Sequence, residues 1–489
     1  MSLKIKLDEH LARGVIGFPT ALATAVGLVM ASPVILTVTA GFGIGGITFV
    51  AAMAIAFVLM LAQATTFAEA ATLLPTSGSV YDYISCGLGR FCAIAGTLSA
   101  YVLVHVFAGT AVVVLSGAMA TVSFSGLYDY LQAGGHTWLV GVAMVFLFGA
   151  VNLVGITFFS KVEIFLSSFV WITLMAFGIA GVLQAPAVDL PLVFGASKIG
   201  GDLQDVLSLV GMAMFMFLGV EFVTPLAPEL RNAGRVVPRA MLVGLALVAC
   251  CMFLYGFAVA RQVANVPVAG PGTPNLLETP LAVPLFAEQV MGPFGKVWLG
   301  IAFLFAGAAT INTLMAGLPR LLYGMALDGA LPRAFAWLHP RYKTTVVGIV
   351  VSVLIPVTHG AIVGDHLERI MPLVLAGVCA WGTSYLLVTL SVVLLRLRRP
   401  DLPRAYRSPL FPLPQIVSSL GILIAIWYIA PPGISQSDIY IPFGIMLALT
   451  AAYALGWTLL VQRTRPFRPV RVETILEEEF GKPAPGGHG

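Results

Sequence analysis

The sequence predicts an all-α integral membrane protein. About 12 transmembrane helices are expected: two five-helix units in inverted repeat, then two further helices. Three observations predict this. Twelve apolar runs are each long enough to cross a bilayer, which takes about 20 residues. Lys and Arg concentrate in alternate connections between those runs, as they do on the cytoplasmic side of a membrane protein. The first and sixth runs are interrupted near mid-depth, and two such breaks in corresponding positions mark inverted repeats that meet at a midplane site.

Composition supports the lipid environment. Of 489 residues, 59% are hydrophobic and 10% are charged, and mean hydropathy is +0.97. Soluble domains carry about 25% charged residues, so most of this surface must face lipid. A barrel is excluded, because barrel strands are about 10 residues long and alternate in polarity. The net charge of +4 does not indicate nucleic acid. Its basic residues lie between apolar runs and follow from orientation alone.

The apolar runs occupy 15–39, 42–68, 89–121, 137–158, 162–184, 204–229, 238–261, 294–325, 344–364, 368–396, 411–431 and 440–462. They divide the chain into a cytoplasmic N-terminus (1–14), a first repeat (15–184), a second repeat (204–396), a helix pair (411–462) and a cytoplasmic tail (463–489). With the N-terminus inside, 22 of the 26 Lys and Arg lie inside. Only Lys198, Arg261, Lys296 and Arg369 fall outside. One missed helix would spoil this split, so it supports both the register and a multi-pass protein of a bacterial-type cytoplasmic membrane, both termini inside. The N-terminal MSLKIKLDEHLARG lacks an apolar stretch ending in a cleavage site, so no signal peptide is expected. The longest polar outer loop is 262–293, rich in Pro and Gly. The tail reads as a disordered extension whose VETILEEEFGK run can form a short helix. Cys86, Cys92, Cys250, Cys251 and Cys379 lack metal-ligand spacing and read as reduced packing residues.

The interruptions carry the chemistry. Run 1 contains GLVMASPVILTVTAGFG. Pro33 removes an amide donor and disfavours helix at Ser32, so a break is expected at Ala31-Ser32-Pro33; a plain proline kink is the other reading. Run 6 contains MAMFMFLGVEFVTPLAPEL, with Gly219, Glu221 and Pro225 in succession. A carboxylate at that depth is costly and usually functional. Glu221 either ties broken backbone together, the favoured reading, or meets a ligand.

The sequence also resembles the amino acid–polyamine–organocation permeases, from the first run to the connection after the tenth. The carriers are FAEAATLLPTSGSVYDYISCGLGRF, NLVGITFFSKVEIF, FLGVEFVTPLAPELRNAGRVVPRA, PRLLYGMALDGALPRAFAWLHPRYKTT and RRPDLPRAYRSPLFPLP, in the family's order and on the family's membrane sides. Departures include Ala-Ser-Pro where many members have Gly-Ser/Ala-Gly in helix 1, Ala233 and Thr345 where Pro is common, Pro319 where Ser is common, and Glu163 where Gln is common. No Lys lies in 163–184, where proton-coupled members often carry one, which argues against a lysine-based proton mechanism.

The resemblance implies a LeuT-type bundle and a secondary transporter of an amino acid or small amine, working by alternating access. Uniport, symport and exchange stay open, with H+ or Na+ as possible coupling ion. No cofactor, metal or catalytic set is expected. Amides from Ser32 to Ile35, with Met30, Ala31, Pro33 and Val34 around them, can hold a substrate carboxylate at a helix N-terminus. Carbonyls from Phe217 to Val220, including Gly219, can accept from an ammonium. Met214, Phe215, Phe217, Trp381 and Ser384 are candidate walls, with Thr383 beside them. His105 can bind ligand or proton, or be a neutral ring bonded to a neighbouring helix. Thr310, Asn312 and Thr313 can complete a sodium site or glue packed helices. Arg320 and Asp328 are expected in a cytoplasmic structural or gating contact, and Arg404 and Arg407 as anchors at the inner interface. Amines without a carboxylate are the alternative substrate class, with Glu221 as reader. A channel would favour polar rings or filter loops, and an enzyme clustered catalytic groups; the sequence offers neither.

Overall fold

A computed structural model describes residues 11–124, 134–185, 202–264 and 275–481. The N-terminal residues 1–10, the VPVAGPGTP part of the outer loop within 265–274, Lys198 and the last tail residues 482–489 lie outside the described residues. Among the described residues the architecture is helical throughout, with a single isolated bridge between Ile16 and Leu230. Backbone polar groups in lipid must be paired within the chain, and helices achieve this segment by segment.

The helices are α1 (Phe18–Val29), α2 (Ser32–Gly45), α3 (Thr48–Leu73), α4 (Val80–Leu88), α5 (Arg90–Thr97), α6 (Thr110–Ser123), α7 (Leu139–Leu153) and α8 (Ile156–Leu183). Then follow α9 (Leu203–Phe215), α10 (Ala233–Gln262), α11 (Ala282–Leu327), α12 (Val346–Val363), α13 (Ile370–Arg398), α14 (Leu413–Trp427), α15 (Gln436–Gly456) and α16 (Val472–Phe480). Among the described residues nine helical stretches are long and apolar enough to cross a bilayer, α1 and α2 together form a bent tenth, and α7 and α14 are shorter apolar helices. The protein is therefore a multi-pass membrane protein.

Two stretches depart from the sequence reading. The run at 89–121 is a single span, but its middle is wound more loosely, with π turns at Leu98–Val102 and His105–Gly109 between α5 and α6. The expected loop 262–293 contains a 3-10 turn at Leu276–Glu278 and the start of α11, which kinks at Met291 and Gly292. Gly292 has φ +67° there, and Pro293 follows it.

The centre of the bundle is α1, α8, α10 and α11 packed on one another, with α3 against α9 and α10. The last two membrane helices, α14 and α15, sit at the edge. Leu420, Leu423, Trp427, Ile441, Ile445 and Leu449 on them are exposed, as suits side chains facing lipid.

The tail contradicts the expectation of disorder. Residues 463–481 fold back against Arg13, Ser77, Ser85 and the start of α5. Arg13 donates to the Glu479 carbonyl at 2.9 Å and lies over the Phe480 ring. Ser77 donates to the Glu479 carboxylate at 2.8 Å. The Val470 amide donates to Ser85 O, and the Phe91 amide to Pro466 O. Gly89, with φ +97°, is pressed so closely on the Phe467 backbone that a Cβ there would lie 2.7 Å from it. Low hydropathy suggested a solvated extension, but Val472 and Ile475 provide an apolar edge that buries here.

Ion pairs on this face also differ in detail. Arg320 and Asp328 do not pair with each other: Arg320 binds Glu229 at 2.5 Å, and Asp328 binds Arg90 at 2.5 Å and accepts from Tyr81. Arg404 is not an interface anchor. Its buried side chain lies 3.2 Å from Glu69, which also meets Arg396 at 3.1 Å. Arg407 alone of the two is exposed. The five cysteines are free thiols, but Cys250 faces outward rather than packing.

Candidate functional site

The first break forms as the Pro33 chemistry requires, one residue earlier than the sequence suggests. α1 ends at Val29, and Met30 and Ala31 leave the helical region before α2 restarts with Pro33 in its first turn. The two halves are bent by 49°. Val34 and Ile35 both donate to the Ala31 carbonyl, at 2.9 and 3.2 Å. The expected row of free amides therefore shrinks to Ala31 and Ser32, which have no backbone acceptor.

The second break lies opposite. α9 stops at Phe215, and a 3-10 stretch Val220–Glu229 follows, containing Pro225 and Pro228. Between them the carbonyls of Phe215 to Leu218 receive no backbone amide. Gly219 sits at φ +110°, and a Cβ on it would come within 2.7 Å of Leu28. Glycine thus lets the two breaks approach each other.

A small closed cavity of about 20 Å³ lies between them. Ala31, Pro33 and Val34 form one wall, Phe215 and Leu218 a second, and Trp381 and Thr310 close it, with Val104, Ala108 and Leu314 behind. A volume of this size accepts about one water.

Of the other candidate residues, Met30, Ser32, Ile35, Met214, Phe217, Gly219, Val220, Glu221, His105 and Ser384 are buried but not in this wall. Phe217, Val220 and Glu221 border a separate void of about 10 Å³ beside Tyr385. The hydroxyls of Ser32 and Ser384 are buried without partners. Thr383 donates to the Cys379 carbonyl one turn back. The wall residues Leu28, Val104, Ala108, Val112 and Leu314 were not legible in the sequence, since nothing separates them from lipid-facing or core side chains of the same type.

Both Glu221 oxygens are bonded to side chains of α13. Trp381 Nε1 donates to one oxygen at 3.0 Å and Tyr385 Oη to the other at 2.5 Å. The broken sixth span is thereby fastened to α13, and the Trp381 ring is held as the cavity wall. Phe222 meets that ring edge-on at 6.0 Å. His105 is wholly buried in the π turn. Its Nδ1 donates to the Tyr101 carbonyl of its own helix at 2.8 Å. Nε2 makes no hydrogen bond, although the Leu314 backbone is close.

Thr310 lies near a carbonyl of α1, whereas Asn312 and Thr313 turn toward Glu163. Thr310 Oγ1 donates to Ala306 O at 2.9 Å and reaches Gly27 O at 3.5 Å. Asn312 Nδ2 donates to Glu163 at 2.7 Å, and Asn312 Oδ1 accepts from Asn152 at 2.9 Å. Thr313 Oγ1 lies beside the same carboxyl without a well-formed hydrogen bond. Ser167 Oγ lies 3.0 Å from the other Glu163 oxygen and 3.1 Å from the Ala23 carbonyl of α1, and shares its one proton between them. Gly27 packs directly on it: a Cβ there would stand 2.1 Å from the carboxyl oxygen. In the sequence Glu163 was visible only as a departure from Gln.

Comparison with known proteins decides the family: residues 16–452 match the amino acid permeases. The chain belongs to that family. It is 27% identical over 411 residues to the branched-chain amino acid permease BcaP of Bacillus subtilis (strain 168), covering 80% of this chain and 81% of that protein. It is 22% identical over 411 residues to the serine/threonine exchanger SteT of the same organism, covering 83% and 89%. The b(0,+)-type amino acid transporter 1 of Mus musculus is 26% identical over 430 residues, covering 83% and 81%. This permease is thus a secondary amino acid transporter.

Proposed function

We propose that this permease carries a neutral, apolar amino acid across the cytoplasmic membrane, gripping its α-carboxylate and α-ammonium between the two breaks. The observation that carries the reading is the pairing of orphan groups. Amide donors at Ala31 and Ser32 and carbonyl acceptors at Phe215 to Leu218 have no backbone partners, and Ala31, Phe215 and Leu218 of these border one cavity, with Ser32 the next residue along. Buried polar groups left unpaired cost free energy, and a zwitterion satisfies both kinds. The walls beyond them are aliphatic or aromatic, with no charged side chain, which favours an uncharged substrate side chain; BcaP is named for substrates of that kind. Met30, Ile35 and Ser384 belong to the second layer, as does His105.

The cavity is too small for an amino acid, so transport requires the halves of the bundle to part, consistent with two inverted five-helix repeats rocking about the site. The face where both chain ends meet is taken as cytoplasmic from the basic residues. Tags at either end should label only in permeabilised cells; labelling from outside intact cells would reverse the orientation. Coupling to H+ or Na+ fits a secondary transporter. The amine alternative needs a free Glu221 carboxylate, and both of its oxygens are occupied by Trp381 and Tyr385.

The test is a ligand-induced thermal shift on purified protein, since a ligand that binds only the folded state raises its stability. Leucine, serine, lysine and putrescine serve as probes. A shift with leucine is expected in wild type and its loss in Ser32→Trp, whose indole would fill the break. An undiminished shift in a folded Ser32→Trp would place the substrate elsewhere.

A further inference from the structure

We propose that Glu163 is the group that carries the transported proton, alternating between acid and carboxylate as α1 moves against α8 and α11. The proposal rests on the reading of the chain as a secondary transporter and narrows its coupling ion to H+.

The placement is the first argument. Glu163 is completely buried in the membrane span α8. Its carboxyl touches Gly27 of α1, three residues before the break at Met30, and Asn312 of α11. Two residues back on α11, Thr310 stands in the substrate cavity wall and reaches the Gly27 carbonyl. One short segment of α1 and one turn of α11 therefore border both sites. Any shift of α1 that opens the cavity must also change the surroundings of Glu163.

The second argument is the absence of a counter-charge. A carboxylate in a dry span is expensive unless paired. Glu69 and Glu229 are paired with arginines; Glu163 is not. The helices packed on it are α1, α7, α10 and α11. α1 and α7 contain no ionisable side chain. α10 has Arg235, Arg239 and Arg261 near its ends and Cys250, Cys251 and Tyr255 within. α11 has Glu288 and Lys296 toward one end, and Arg320, held by Glu229, with Tyr323 toward the other. Lys161 on its own helix is exposed. The groups that do reach the Glu163 carboxyl are neutral: Asn312, Thr313 and Ser167.

The third argument separates a proton from a metal cation. Asn312 donates to the carboxyl, and Ser167 shares its one proton between the carboxyl and the Ala23 carbonyl of α1, whereas a sodium ion needs oxygens turned toward it. Gly27 fills the remaining side at a distance that leaves no room for an ion. A proton needs no room. The Glu163 O–H bond forms with a proton from the more acidic side and breaks on the other, and no other bond changes. Proton and substrate affinity are then linked reciprocally through the position of α1.

The experiment uses the full chain in liposomes loaded with a pH-sensitive dye. A mixture of neutral amino acids, radiolabelled, is applied from outside. Wild type should take up label and acidify the lumen, and Glu163→Gln should lower the protons moved per amino acid at least tenfold. Label uptake by wild type without acidification, or an unchanged ratio in Glu163→Gln, would overturn the proposal. No label uptake by wild type would instead sink the transporter reading itself. If Glu163→Gln does not fold or does not transport, Ser167→Ala decides. Removing that donor favours the neutral acid, so the pH midpoint of influx should rise; an unmoved midpoint would overturn the proposal.

Discussion

Glu221 and Glu163 are both carboxyls buried at membrane depth without an arginine or lysine, yet they do opposite work. Glu221 stands among residues that broadcast a broken helix, Gly219 before it and Pro225 after it. Its two oxygens are held by Trp381 and Tyr385, both on α13, so it acts as a fastener between two helices. Glu163 stands in an unbroken helix and looks unremarkable in the sequence. Its partners come from α8 and α11, and its neighbour Gly27 lies beside the moving joint. Depth alone does not define a carboxyl's role. What matters is whether its partners sit on elements that must stay together or on elements that must part.

The comparison sharpens against a third carboxyl. Glu69 is ion-paired with two arginines, so Glu69→Ala removes the counter-charge of Arg404 and leaves it only backbone carbonyls. A loss of about 3–5 kcal/mol is expected for a broken buried pair, read as a large drop in thermal midpoint in detergent. A drop no greater than for Glu221 would show that pairing does not distinguish these sites.

Glu221→Gln keeps the shape and removes one acceptor, so one donor from Trp381 or Tyr385 goes unmet. The cost should be roughly 1–3 kcal/mol, equal with and without ligand. A selective loss of affinity for putrescine over leucine would make Glu221 a reader of amines after all.

His105 tests whether the proton is carried elsewhere. Its ring is satisfied within its own helix at Nδ1, which is the neutral packing arrangement. His105→Gln should therefore change the pH profile of uptake between about pH 5 and 8 far less than Ser167→Ala does. A flattened profile in His105→Gln would transfer the proton role to the histidine.

The smallest effect concerns the docked tail. Burial pushes the Glu479 carboxyl above its ordinary value of 4.5, against the Ser77 hydrogen bonds and the Arg13 charge, which pull it down. The docked form thus binds more protons than the free tail. This contribution to docking is complete below the ordinary value and fades as pH rises through the docked one. A spin label at Phe467→Cys should gain mobility from pH 5 to pH 8; a loss of mobility would reverse the sign.

The sequence by itself determined the membrane class, the number and order of apolar runs and the two breaks. Those depend on run length, on proline's missing amide and on glycine's freedom, all local properties. The tail helix at VETILEEEFGK was also visible, although its docking was not. Only the tertiary structure decided which orphan backbone groups share a cavity, that Arg404 pairs with Glu69, and that Asn312 and Thr313 turn toward Glu163. Each brings together side chains well over a hundred residues apart, on helices whose rotation about their own axes is set by packing. An apolar helix carries little record of which face its neighbours will cover.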